Sequence, residues 1–467
     1  QGDVIVPKDS TLIIEPGTVI EFQDNYSIKV DGILKAEGIL GDSIVFKATV
    51  KKAWAGMYFI NNKQCDTIKL KFCRFENYRI GFSYGVVNYA IFVRKSSPVV
   101  ISNCLFEYNN SDDKQSGSIY LSQNAALISS SCFKSNAKYI NSIATFRIDS
   151  SLYFNLSNLI FDIPANASKN GPDLVIADFI GTRGIIDNVT NIDSTSLQIG
   201  IQDSKNVELR NSILQYKVTL GIRNSKCKIQ NVLFVNSHST AIETFDNCTG
   251  TIFENCEIRN CGSYIRANGF NHCIDLQSTG PLFKNCKILE NNWGIYVSQR
   301  NGDGTPVFLN CSINKNKYYA ATIEGFPVFI NCNFQDNYTF YQAPYDTFKV
   351  PPFTGGVSIV TEFYNSRPYF YNCLFWGNRD SIGNPASLVF FGNNSKVRAD
   401  LYNCILQGDS TTGIGGYDDI NNKKFKVNPV YFTYVKSSGH PPGFKDSASG
   451  NYSLKNTCDT VAYAINR

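Results

Sequence analysis

The side chains best placed for chemistry are Glu257, Arg259, Arg266, His272 and Asp275, with Lys284 and Lys287 a little further on. A basic residue beside a carboxylate can abstract an α-proton from a uronic acid. Arg266, His272 and Asp275 are the candidates for that role. Hydrolysis of a glycosidic bond would instead need clustered carboxylates, one as acid and one activating water. The two Asp-Asp pairs do not offer that: Asp418-Asp419 lies in a glycine-rich stretch and Asp112-Asp113 in a polar loop. His238, His272 and His440 are far apart, and no Ser-His-Asp or Cys-His arrangement stands out. Charges on the outside of a strand are usually a solvated face, so the expected catalytic set is none.

A second group could bind rather than react. The stretch 338–357 carries Tyr338, Phe340, Tyr341, Tyr345, Phe348 and Phe353, together with Pro344, Pro351 and Pro352. Loops dense in aromatic residues are candidate ligand or partner surfaces, or covers over an open edge.

The elements that carry these residues are announced by a repeat. The string Phe329 to Asn337 (FINCNFQDN) returns as FLNCSINKN from Phe308, FKNCKILEN from Phe283, FENCEIRN from Phe253 and FYNCLFWGN from Phe370. Looser copies start at Ser102, Ser131, Asn211, Gln230 and Asn403. Within each copy apolar and polar residues alternate, the period of a strand. Short strands repeating every 20–30 residues or so are the unit of a parallel β-helix. The spacing predicts an all-β, right-handed parallel β-helix solenoid. Coils stacked about 4.8 Å apart turn equivalent positions into ladders. The Cys position (Cys104, Cys132, Cys256, Cys286, Cys311, Cys332, Cys373, Cys404) is expected to face inward, with Leu159, Ser212 and Val232 in the same place. The Asn before it and the Asn closing the copy should sit at bends and bond along the stack. Cys65, Cys73, Cys248, Cys261 and Cys273 fall outside that ladder and are the better disulfide candidates.

The division expected is 1–60 as entry coils and cap, 61–410 as coils with an insertion at 338–357, and 411–467 as a closing segment. Of 467 residues, 18% are charged and the net charge is +5, with Lys and Arg scattered. Scattered basic residues argue against a nucleic-acid partner. No apolar run is long enough for a membrane span. Gln1 is not a start residue, which suggests that a signal has been removed.

The opening VPKDSTLIIEPGTVIEF, then VDGILKAEG and IVFKA, resembles secreted right-handed parallel β-helix proteins of the pectate-lyase-like superfamily, abundant in Bacteroidota. Trp54 to Phe59 and Phe72 to Asn77 match the next landmarks of such proteins, and Asn428 to Phe432 and Gly450 to Leu454 match their exit. The tripeptide D-[ST]-[AILVMT] resembles the O-glycosylation signal of Bacteroidota secreted proteins. Its acceptors would be Ser10, Ser43, Thr67, Ser194, Ser381, Ser410, Ser447 and Thr460. The resemblance implies a secreted or cell-surface, outer-membrane-associated protein. On function the resemblance says little, and the expectation is a non-catalytic protein that presents a rigid binding face to a glycan or a cell-surface protein, as an adhesin or assembly subunit, with no cofactor. The alternative is a polysaccharide lyase or glycoside hydrolase acting on an extracellular polysaccharide, with calcium in the lyase case.

Overall fold

The computed structural model describes residues 2–49, 54–63, 67–78, 89–108, 116–135, 143–162, 175–192, 196–262, 272–277, 280–299, 304–339, 355–361, 365–380, 383–392, 398–407 and 414–418. Five short strands between 423 and 454 are also described. They form two compact units, Gln1–Asn236 and Ser237–Arg467. In both, short strands repeat in threes, and equivalent strands of successive coils pair in parallel. Parallel crossovers of this kind take the right-handed sense. No helix occurs among the described residues.

In the first unit the first ladder runs through Val4–Val6, Ser27–Val30, Gly56–Ile60, Tyr89–Arg94, Ser116–Ser122, Ile143–Asp149, Val175–Ile180, Ser196–Gln202 and Lys217–Arg223. The second and third ladders begin at Thr11–Ile14 and Val19–Phe22. Alternation along each strand sends one set of side chains inward. Phe46, Phe75, Phe106, Phe133 and Phe161 stack face to face at 4.7–5.4 Å, one per coil. Burying each such ring stabilises by about 1.5–3 kcal/mol.

In the second unit the first ladder runs from Ile242–Phe245 to Ile414–Asp418, and the others begin at Ile252–Glu254 and Glu257–Arg259. Its core repeats the device with Phe253, Phe283, Phe308, Phe329 and Phe370. The strand Asn451–Leu454, expected from its resemblance to a family exit motif, pairs antiparallel with Phe444–Asp446.

The cysteine ladder is real in the second unit, where Cys256, Cys286, Cys311, Cys332, Cys373 and Cys404 are all buried. Each thiol from Cys286 onward lies 3.3–3.5 Å from a carbonyl of the coil before it. Two expectations need correction in the first unit. Cys132 is not in the ladder: it pairs with Leu105, and Ser131 takes the buried place beside Cys104. Cys73, expected outside, belongs to the ladder, with its thiol 3.4 Å from the Ala36 carbonyl. The shift has a simple cause. The inward Phe133, which pairs with Phe106, follows Cys132 directly, whereas one residue separates Cys104 from Phe106, and a one-residue slip reverses inward and outward. All thirteen described cysteines, Cys248, Cys261 and Cys273 included, are free thiols, and Cys65 lies outside the described residues.

The Asn before each ladder cysteine takes the left-handed backbone the bend requires. Asn255, Asn285, Asn310, Asn331, Asn372 and Asn403 have φ of 52–55°, a region Asn reaches more easily than most residues. Asn260, which closes the Phe253 copy, takes the same bend with φ 53°, but the Asn closing the next four copies bonds along the stack without it. Asn291, Asn316, Asn337 and Asn378 are buried, and their amides join into one chain of hydrogen bonds. The Asn316 backbone N–H and Nδ2 both donate to Asn337 Oδ1, at 2.9 Å, and Nδ2 also donates to the Ile288 carbonyl at 3.1 Å.

Candidate functional site

The outward face of the first ladder in residues 1–236 collects one residue from each successive coil. Parallel register places Tyr58, Phe92, Tyr120, Arg147, Asp178, Gly200 and Gly221 in a single row. The row has three parts. Its first part is aromatic. Phe92 and Tyr120 lie 4.7 Å apart at 10°, and Tyr58 and Tyr89 tilt against them at 5.7 and 5.3 Å. Stacking along the ladder covers ring faces, so the outward surface offers ring edges and phenol groups. The Tyr58 hydroxyl donates to the Ala55 carbonyl at 2.8 Å.

The middle of the row is charged. Arg147 is exposed and Asp178 half-buried, in neighbouring coils. Among the described residues neither side chain makes a hydrogen bond or an ion pair within 4 Å. Burial holds the Asp178 carboxyl above its usual range, and Arg147 offsets part of that shift. Burial also pushes the Tyr89 phenol up to about 12, with Arg147 opposing and Tyr120 and Asp178 adding to it. These four groups therefore share one electrostatic neighbourhood.

The last part is bare. A Cβ on Gly200 would lie 2.9 Å from Asp178 Oδ1, so a larger residue would crowd the carboxylate. A Cβ on Gly221 would meet nothing closer than 4.0 Å, and its φ lies outside the positive range. Packing does not demand glycine there. Glycine inside a strand costs stability and often marks a close approach by a ligand. A separate groove of about 550 Å³ lies where the second and third ladders of this unit meet, lined by Leu40, Phe72, Leu105, Cys132 and Ile160 among others. It has no opposed charges and carries no chemistry.

The residues singled out from the sequence are not gathered in this way. His272 is buried, its Nδ1 2.7 Å from the Tyr319 hydroxyl and its ring stacked on Tyr296 at 4.5 Å. Burial pushes its pKa down to about 3, so it is a neutral packing group at ordinary pH. Asp275 lies on Ile274–Gln277 in the first ladder, with Gln277 Nε2 donating to it at 3.1 Å. Glu257 and Arg259 sit on a third-ladder strand and pair with each other at 3.4 Å, and Lys284 pairs with Glu254 on the second ladder at 2.8 Å. Arg266 lies outside the described residues, as do Phe340, Tyr341, Tyr345, Phe348 and Phe353. Tyr338 is half-buried and bridges in parallel to Lys317 and Arg379. Of the proposed acceptors, Ser10 is exposed while Ser43 and Thr67 are half-buried; Ser194, Ser381, Ser410, Ser447 and Thr460 lie outside the described residues. Among the described residues no three metal-binding side chains converge, and no helix is long and apolar enough to cross a membrane.

The row Tyr58 to Gly221 was missed in the sequence. The one available signal was the pair of isolated strand glycines in LQIGIQ and VTLGIR, 21 residues apart.

Compared with known proteins, residues 176–334 and 277–442 match the family model described as right handed beta helix region. Together the two matches cover more than half of the chain. No curated protein matches. No solved structure matches.

Proposed function

The chain belongs to the right-handed β-helix family, a fold that hosts both binding proteins and polysaccharide-cleaving enzymes, and we propose that it is a binding protein for an extended glycan. The glycan lies along the first ladder of residues 1–236, over the row from Tyr58 to Gly221. One observation carries this reading. Arg147 and the half-buried carboxylate of Asp178, both without a partner among the described residues, sit in adjacent coils, directly followed by two strand glycines that leave the surface open. A purely structural face would pair those charges or fill that floor. The coil step of about 4.8 Å is close to the length of one sugar ring in an extended chain, so successive rings meet successive coils. The same reading places the protein outside the cell, secreted or at its surface.

The test is calorimetric titration of the full chain with a panel of neutral and uronic-acid polysaccharides, wild type against Gly221→Trp and Arg147→Ala. A Cβ at Gly221 has room, with the nearest atom 4.0 Å away, so Gly221→Trp places a ring over the open floor. Each substitution should weaken binding by about tenfold or more. Unchanged affinity in both variants would remove the row from the binding site.

A second reading is favoured by Asp178 alone. Burial raises its carboxyl above the usual range, the direction in which general acids are tuned. The strand that carries Arg147 supplies Asp149 two residues on, a second carboxylate on the same face. Release of new reducing ends or unsaturated sugars by wild type, lost in Asp178→Asn, would replace binding with polysaccharide cleavage.

A further inference from the structure

We propose that the cysteine ladder of the second unit, from Cys256 to Cys404, binds soft univalent metal ions such as copper(I) or silver(I), each held in line between the thiols of two successive coils. This site goes beyond the glycan row, which belongs to the other unit and shares no residue with it.

The backbone fixes the stacking of these thiols. The N–H of the residue after each cysteine donates to the carbonyl of the cysteine one coil earlier. That bond is 2.9 Å from Lys287 to Cys256, Ser312 to Cys286, Asn333 to Cys311, Leu374 to Cys332 and Ile405 to Cys373. Every sulfur from Cys286 to Cys373 therefore lies within hydrogen-bonding reach of the sulfurs on both sides. The ladder is a line of S–H···S contacts, with a proton between neighbouring sulfurs. Its bonds to Cys286 and Cys332, together with burial, hold the Cys311 thiol above its usual range. Among the described residues of the first unit the same contact joins Cys73 to Cys104, and Ser131 ends it.

The spacing suits an ion better than a disulfide. Parallel coils hold equivalent Cβ atoms about 4.8 Å apart, whereas a disulfide draws them to about 3.5–4.5 Å. Two metal–thiolate bonds of about 2.3 Å each, laid end to end, nearly match the coil step. Soft thiolate ligands select copper(I). Linear coordination needs only two ligands, so no cluster of three is required, and tetrahedral zinc has no place here.

The exchange balances without any electron transfer. The ion enters one S–H···S contact and forms a bond to each sulfur, while the S–H bond breaks and its proton leaves to water. One positive charge replaces another, so the apolar corner gains no new charge to desolvate. The ladder also lies close to solvent. The residues just before its cysteines, Asn255, Asn285, Asn310 and Asn331, are exposed.

The test titrates the reduced full chain with silver(I), in the presence of excess monothiol as competitor, and counts retained ions by native mass spectrometry. Wild type should retain silver(I) and ignore zinc(II). Cys332 borders two gaps between thiols and Cys404 borders one. Cys332→Ser should therefore lose two ions and Cys404→Ser one. Cys132 is half-buried and outside the ladder, so Cys132→Ser should lose none. Should a variant fail to fold, X-ray absorption of silver-loaded wild type decides: two sulfur neighbours per ion support the proposal, and three or four overturn it. Loss of a single ion in each of the three variants would mean independent thiols and would overturn the ladder site. Retention of no ion, or a mass lower by the hydrogens of a disulfide, would overturn it as well.

Discussion

The two units solve the same corner problem with different side chains. In the first, the corner that follows the first ladder holds two amides in its early coils, Asn62 and Asn124, and hydroxyls in its later ones: the Thr182 N–H donates to Ser204 Oγ at 3.1 Å, and the Ser204 N–H to Ser225 Oγ at 3.0 Å. In the second, amides line the corner after the third ladder, where each Asn serves a backbone N–H and a side-chain amide of the coil before it. A hydroxyl accepts from one coil and returns its proton to a nearby carbonyl, as Ser204 does to Gln202. An amide carries two donors and two acceptor positions, so a buried Asn ties three groups at once. The amide ladder is therefore the stronger coupling, and the more fragile one when a rung is removed.

The largest expected effect tests that claim at its centre. Asn316→Ala leaves the Asn291 N–H, the Asn291 amide and the Ile288 carbonyl short of partners. Unfolding free energy from denaturant titration should fall by roughly 3–6 kcal/mol. A loss below about 1 kcal/mol would mean that water or a shifted coil replaces the rung.

Acid should act through the second unit, which holds His272. Its folded pKa of about 3 lies below its unfolded value near 6.5, so the unfolded chain binds the proton first. The stability contributed by neutral His272 is complete above about pH 6.5 and is lost as pH falls from there towards 3, by about 1.4 kcal/mol per pH unit. Thermal unfolding followed across that window should be steeper in wild type than in His272→Phe. Equal slopes would place the acid sensitivity elsewhere.

Ser204→Ala removes one acceptor for the Thr182 N–H and should cost about 1–2 kcal/mol. A cost equal to that of Asn316→Ala would erase the distinction between the two corners. The smallest effect should come from Cys332→Ser, below about 1.5 kcal/mol by the same denaturant assay. Ser212 already occupies the equivalent place in the first unit, where its Oγ donates to the Arg210 carbonyl and accepts from the Val189 N–H. A larger loss would show that the thiol ladder depends on sulfur packing.

Much of this framework could be read from the chain as written. Alternation in FINCNFQDN exposes its inward set directly, and the ladder positions of Leu159, Ser212 and Val232 follow from counting. Cys132 could not be placed that way. Its neighbour Ser131 is equally small, and the choice between them rests on a one-residue register that only pairing with Leu105 decides. That Asn337 bonds along the stack could be read from the repeat, but its backbone could not, because the left-handed bend falls one residue earlier, at Asp336.

The amino-acid sequence by itself determined a parallel β-helix, since each coil writes its apolar period and its bends within some twenty to thirty residues. The tertiary structure alone decided the site. The row through 58, 92, 120, 147, 178, 200 and 221 takes one residue per coil, at steps of 34, 28, 27, 31, 22 and 21. Those steps vary with the length of each connection. Strand pairing absorbs that variation in the loops, so residues with no common spacing in the chain arrive side by side on the sheet.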